Sequence, residues 1–410
     1  MKHLIAAIIF LSASTVATAQ TRTKAQQLIF TNEDSLNNGI SSAKTVISGY
    51  GDVFYQRNFN EQTSIASLER AVLFVGHKFN NKISFFSELE VENAKVAGGE
   101  AGGEVAMEQA FVKFNLNSKQ YIVAGLFIPR IGIINENHLP VNFNGVERPI
   151  TEQIVIPATW REIGIGFYGS ANRLPLNYSF TLMNGLNSAG FEHGTGIREG
   201  RFEGQDASAN NLAINASLQY SIADFKFQIS GYMGGTVGLR KSSADSLGLN
   251  SGAFGTPVYL GEADMQWAKN GFAAKALATT ILFPDADKVN TAYAQNNANT
   301  MYGAYAELSY DFLYKKQKAA QFISFLRGEM IDLNASIPTA PKAIYDGTEK
   351  QTHIIAGFTF LPIQNIAIKA DVRLLRTGPQ NPALVINPAP NAKAYSRDNQ
   401  FLNIGIGYSF

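Results

Sequence analysis

The 410-residue sequence has no cysteine, which removes disulfides, thiolate metal ligands and thiol nucleophiles from consideration. It has no apolar run approaching the roughly 20 residues of a membrane-spanning helix, and its most apolar stretch, Leu4 to Leu11, falls well short. Charge of either sign is sparse and nearly cancels, with 34 Lys plus Arg against 33 Asp plus Glu. The formal net charge is +1, of which Lys2 supplies one unit, so the residues beyond it sum to 1 − 1 = 0. That balance excludes a basic field for nucleic acid and any global bias toward an ionic partner. Catalytic signatures are missing too: there is no GxSxG elbow, and Gly98 to Gly103 lacks the Lys and following helix of a phosphate cradle. His138 and His353 are far apart with no carboxylate at metal-ligand spacing, so both read as ordinary polar residues. The expectation is a non-enzyme without cofactor or metal.

What is present is export chemistry followed by alternation. Lys2, the apolar stretch and Ala17-Thr18-Ala19 form the pattern of a cleaved secretory signal over residues 1–19, with Gln20 as the mature start. No cysteine follows to carry a lipid anchor. Residues 20–44 are a polar extension without repeat or heptad. From residue 45 to 410 the chain repeatedly alternates apolar and polar residues with period two. Leu176, Tyr178, Phe180 and Leu182 oppose Asn177, Ser179 and Thr181; Ile366, Ile368, Val372 and Leu374 oppose Lys369, Asp371 and Arg373. Segments of about ten such residues suit strands that cross a bilayer at a tilt, one face in lipid and one in water.

Counting weaker stretches gives sixteen strands, the fold class being all-β, a transmembrane antiparallel β-barrel. Seven even-numbered connections are predicted to be short: 80–81, 117–119, 171–174, 222–223, 269–271, 312–320 and 362–363. The odd ones are predicted to be long, as in barrels with tight turns on one side and extended loops on the other. Soluble sandwiches and propellers share the alternation, but no repeat of blade length is visible. The last residues, QFLNIGIGYSF, alternate without a break to Phe410. This ending resembles the C-terminal signal of bacterial outer-membrane barrels, which implies the barrel assembly machinery and outer-membrane lipid as partners and the outer membrane as location.

The third odd connection, from Ile128 to Trp160, is stiffened by Pro129, Pro140, Pro149 and Pro157 and carries both charges and apolar residues. It is expected to fold inward. The preceding strand, QYIVAGLF, is apolar on both faces, as a wall covered by protein would be. The segments GLFIPRIG (125–132) and ERPITEQIVIPATWREIGIGFYG (147–169) resemble the corresponding stretch of the phosphate-selective porin O and P family of Bacteroidetes-type outer-membrane porins. The resemblance implies a sixteen-stranded channel, a homotrimer, and passive diffusion of small hydrophilic solutes, including anions such as phosphate.

Anion selectivity needs cationic side chains converging where the pore is narrow. Candidates are Arg130, Arg148 and Arg161 around the loop, with Lys226, Lys275, Arg327, Lys369 and Arg373 on the walls. Glu88, Glu90, Glu92, Glu147, Glu152, Glu162 and Asp371 oppose them. The constriction is therefore assigned to Arg130, Glu147, Arg148, Glu152, Arg161, Lys369 and Arg373, with weak selectivity expected. Two plainer readings stand beside it: Glu147 pairs with Arg148 to tie the loop down, and Lys369, Asp371 and Arg373 form a solvated charge ladder. The alternative function is a plugged barrel that binds a surface partner through its external loops.

Overall fold

The computed structural model describes residues 20–30, 44–92, 104–316, 319–339, 343–385 and 395–410. The expected signal segment 1–19, residues 31–43 of the extension, the glycine-rich tip 98–103 and Lys318 lie outside the described residues. Sixteen strands among the described residues form one closed antiparallel barrel. They are β1 (Thr45–Asn58), β2 (Thr63–Lys78), β3 (Ile83–Glu92), β4 (Glu104–Asn115), β5 (Gln120–Phe127), β6 (Glu162–Ser170), β7 (Leu176–Asn184), β8 (Leu212–Ile222), β9 (Phe225–Gly234), β10 (Val258–Lys269), β11 (Phe272–Leu282), β12 (Thr300–Asp311), β13 (Gln321–Ser336), β14 (Lys350–Ile363), β15 (Ile366–Thr377) and β16 (Asp398–Ser409). Each pairs with its sequence neighbours, and β1 closes on β16 from Tyr50↔Ser409 to Asn58↔Phe401. Closure satisfies every strand edge, which the hydrocarbon layer demands because it offers no competing hydrogen bonds.

The two faces are inverted relative to a water-soluble sheet. On β13, Leu326 and Met330 are exposed while Arg327 and Glu329 are buried; on β16, Ile404 and Ile406 are exposed while Asn403 is buried. Burying charge and exposing aliphatics is unfavourable in water and favourable when the outer surface meets lipid. This inversion disposes of the soluble sandwich and propeller.

Connection lengths alternate as expected, with one correction. The β1–β2 connection, expected to be long, is only 59–62, because β2 begins at Thr63 and pairs with β1 to its end at Asn58. Asn58 Oδ1 accepts from the N–H groups of Asn60 (3.0 Å) and Glu61 (3.1 Å), an Asx-type turn that closes the hairpin tightly.

The helix α1 (Lys24–Phe30) packs on the enclosed faces of β1, β2 and β3. Ala25 N–H donates to Ser48 Oγ (3.1 Å), Lys113 Nζ donates to Ile29 C=O (2.7 Å), and Phe30 meets Phe86 edge-on at 6.0 Å. Phe74, Phe86 and Phe111 form the apolar floor beneath it. On the neighbouring β5 wall, Tyr121 and Val123 are likewise buried, which accounts for a strand apolar on both sides.

Candidate functional site

The site is built from the 128–161 connection between β5 and β6 and the strand faces it touches. The backbone organises first around Glu152. Its Oε2 accepts from the N–H groups of Ile133 (2.8 Å) and Ile134 (2.7 Å), and its Oε1 accepts from Tyr305 Oη on β12 (2.6 Å). Gly132 makes this approach feasible: its φ is +78°, and a Cβ there would lie 2.6 Å from Glu152 Oε2. Burial pushes the Glu152 carboxyl up to about 7, against the three donors that favour its charge.

Farther along, the loop bonds to the enclosed faces of strands spread around the barrel. His138 Nε2 lies 3.1 Å from Glu88 Oε1 on β3, and Gln228 Nε2 on β9 donates to Gly132 C=O (3.0 Å). Lys275 Nζ on β11 donates to Asn142 C=O (3.3 Å), and Asn144 Nδ2 donates to Glu307 Oε1 on β12 (2.9 Å). Ile150 N–H donates to Glu329 Oε2 on β13 (2.6 Å), and Val146 N–H donates to Asp371 Oδ2 on β15 (2.7 Å). The extension also joins: Thr21 N–H donates to Asn142 Oδ1 at 2.8 Å. Ile131, Leu139, Val155, Ile156 and Trp160 are fully buried, so polar ties and apolar packing act together. Trp160 packs on Tyr232 with ring centroids 4.6 Å apart and donates Nε1–H to Glu162 Oε1, a packing role.

The candidate cations meet different fates. Arg130 pairs with Glu136 at 2.7 Å, and Arg161 pairs with Glu203 at 2.8 Å. Arg327 is neutralised by Glu329 (2.7 Å) and Glu307 (3.3 Å) while donating to Asn144 C=O (3.0 Å) and Glu147 C=O (3.2 Å). Glu147 pairs with Arg373, not with Arg148, which corrects the simpler expectation: consecutive side chains of an extended turn diverge, and the wall strand brings Arg373 to the Glu147 side. Lys369, Asp371 and Arg373 are not a solvated ladder either. Lys369 Nζ sits over the Phe143 ring at 3.7 Å, and Asp371 holds Val146 N–H and Asn403 Nδ2 (2.7 Å), so all three face loop atoms.

Arg148 differs. It is 8% exposed, and no hydrogen bond or ion pair reaches its guanidinium among the described residues. It borders a crevice shared with Glu147, Gln153, Glu329, Asp371 and Arg373. Burial, followed by the nearby Arg70 guanidinium, lowers its pKa from the usual arginine value, but an arginine stays charged. The crevice therefore holds the Arg373–Glu147 and Arg327–Glu329 pairs, with Arg148 and the hydrogen-bonded Asp371 carboxylate outside any ion pair among the described residues.

Sequence spacing missed one cluster entirely. His138 Nε2 lies 3.1 Å from Glu88 and 3.4 Å from Glu108 Oε2, so His138 is not an ordinary isolated polar residue. Glu108 enters because a β-bulge at Glu88/Leu89 turns it inward beside Gln109, a break in alternation that no pattern reading anticipates.

Residues 44–373 match the family described as phosphate-selective porin O and P. A protein of Aquifex aeolicus (strain VF5), itself uncharacterised, is 29% identical over 343 residues, covering 79% of this chain and 74% of that one. Among solved structures, an anion-selective porin from Comamonas acidovorans superposes with a TM-score of 0.51 at 11% identity, covering 89% of this chain and 99% of that one. OmpF of Salmonella typhi, in complex with daunomycin, gives 0.52 at 12% identity, covering 89% and 97%. At such identities the structural likeness is one of fold.

Proposed function

The chain belongs to the phosphate-selective porin O and P family, and from that premise we propose an outer-membrane porin whose 128–161 loop lies across the lumen and narrows it. Small hydrophilic solutes pass by diffusion, with a weak preference for anions such as phosphate. The observation that carries the preference is Arg148, a buried guanidinium without a partner among the described residues, while the Asp371 carboxylate beside it is already held by Val146 N–H and Asn403 Nδ2. A paired lining produces a transverse field with little net sign, and one guanidinium left open to a solute in a low-dielectric crevice tips it toward anions. The loop's bonds to β3, β9, β11, β12, β13 and β15 support its inward position. The anion selectivity named for the Comamonas acidovorans porin agrees in sign.

This reading includes Arg130, Glu147, Glu152, Arg161, Lys369 and Arg373 as residues that shape the constriction rather than contact the solute. It also includes cleavage of segment 1–19, recognition of Phe410 by the assembly machinery, a lipid-facing belt, homotrimeric assembly and no catalytic activity. Purified folded protein in a planar bilayer should give discrete conductance steps, with a reversal potential slightly toward anions in a salt gradient and reduced current on adding phosphate. One observation favours the second reading, a plugged barrel serving as a surface-binding protein: α1 and the loop both occupy enclosed faces, and Thr21, just ahead of α1, bonds to Asn142 of the loop. Folded protein that never conducts would select it.

A further inference from the structure

We propose that His193, Asp346 and Glu349 form a binding site for a divalent transition-metal cation such as Zn2+ at the long-loop rim of the barrel. His193 lies in the 185–211 connection, and Asp346 and Glu349 lie in the 337–349 connection. Their strand pairs are separated around the wall by β9, β10, β11 and β12. His193 Nε2 is 3.1 Å from Asp346 Oδ2 and 3.7 Å from Glu349 Oε1, and the three ligand atoms lie within 4.8 Å of one another. Ligands at about 2.0–2.2 Å from a tetrahedral zinc are roughly 3.3 Å apart, so binding requires only a small closure.

Two further features point to a cation. The first is Glu349. Its side chain is 10% exposed, no donor hydrogen-bonds its carboxylate among the described residues, and it is aimed at the His193 ring. No lysine or arginine pairs with Glu349 or Asp346 among the described residues. A cation at this spot would meet two carboxylates that no lysine or arginine neutralises among the described residues.

The second feature is the orientation of the imidazole. His193 Nδ1 lies 3.3 Å from Asn296 C=O, the backbone-carbonyl contact that fixes the other ring nitrogen as a lone pair on a metal-binding histidine. The Asn296 amide, 3.5 Å from the same nitrogen, is held at 2.8 Å by Ile344 C=O. Nε2 then presents a lone pair to two carboxylate oxygens, an arrangement stable only with a proton or a metal between them. Asp346 is preorganised as well, since its Oδ1 is held by Thr348 N–H (3.0 Å) and Oγ1–H (2.8 Å), leaving Oδ2 for the ion.

The superficially similar Glu88, Glu108 and His138 set lacks this need. Arg161 lies 3.7 Å from Glu108 and Arg70 lies 4.0 Å from the adjacent Glu90, so arginines already supply positive charge there, and Glu88 and Glu108 are wholly buried. The rim site has an entry route, with the His193 side chain 30% exposed. A bound ion would staple the two loops across the mouth.

The test is titration of the full folded chain in detergent micelles with Zn2+ alone, followed by competition with a chromophoric chelator. The expected result is about one equivalent bound, with His193→Ala and Glu349→Gln each weakening binding by more than ~10-fold and His138→Gln leaving it unchanged. Heat-modifiable electrophoretic mobility verifies that each variant is folded. The proposal is overturned if the wild type shows no site with Kd below about 100 µM. It is equally overturned if both rim variants bind like the wild type, or if only His138→Gln loses the ion. None of these readouts depends on conductance, so failure here leaves the porin reading untouched.

Discussion

Replacing Glu152 with alanine isolates the attachment of the 128–161 loop from the barrel that carries it. The carboxylate satisfies three buried donors: the N–H groups of Ile133 and Ile134 and the Tyr305 hydroxyl. Without it, two backbone N–H groups and one hydroxyl lose their acceptor, at about 1–3 kcal/mol each. Even the lower bound, ~3 kcal/mol, multiplies the population of locally detached loop by about 10². The barrel ladders do not involve this side chain, so global folding should survive. Tyr305→Phe removes one bond of the three and leaves Glu152 still holding the backbone, so its effect should be about 1 kcal/mol.

Two assays read the difference. Single-channel recording of Glu152→Ala should show greater open-channel noise and higher mean conductance than the wild type, with Tyr305→Phe between them. Limited trypsinolysis of the folded protein should reveal new cleavage after Arg130 in Glu152→Ala alone. If Glu152→Ala is as quiet and as resistant as the wild type while remaining heat-modifiable, the loop is not held by this carboxylate and the reasoning fails.

Arg148→Ala should move the reversal potential in a potassium chloride gradient from weakly anionic to near zero; an unchanged potential would remove Arg148 from the constriction. His138 gives the loop a pH dependence, since Glu88 and Glu108 outweigh burial and hold it up to about 9 against an ordinary 6.5. A raised folded-state value contributes stability that is complete below about 6.5 and lost as pH rises through about 9, on the order of 3 kcal/mol. Channel noise and trypsin sensitivity should therefore rise between pH 8 and 10 in the wild type, and a flat profile would contradict it. Phe30→Ala removes the ring that α1 sets against Phe86 and Phe111, so residues 20–30 should become accessible to protease with the barrel intact. Unaltered protection would show that Lys113 and Ser48 suffice to hold the helix.

The barrel was legible because period two is a local property. Ile404 and Asn403 differ in polarity, and that contrast alone assigns them to opposite faces wherever the strand sits. The β1–β2 turn escaped because Ser64 and Ser67 look like loop residues until Asn58 is seen to cap the hairpin. The Glu88, Glu108 and His138 cluster escaped because one bulge reversed the face that alternation would assign to Glu108.

The lumen resists such reading for a deeper reason. A polar residue on the enclosed face is required whether water or a loop lies against it, so Lys369 over Phe143 and Asp371 on Val146 N–H have the same pattern as a wet wall. Charge counting fails similarly. Arg148 and Arg373 both fall within the constriction assigned from sequence, yet Glu147 is taken by Arg373, 226 residues away, and its own neighbour is left without a partner among the described residues. Because paired charges largely cancel at the distance of a passing ion, the field is set by which charges are left out of pairs and not by how many there are. On the proposed reading selectivity is therefore a property of pairing in three dimensions, and exchanging a single acid should alter it more than adding a base: Glu147→Gln frees Arg373 beside Arg148, and should raise anion preference above that of the wild type in the same reversal-potential measurement.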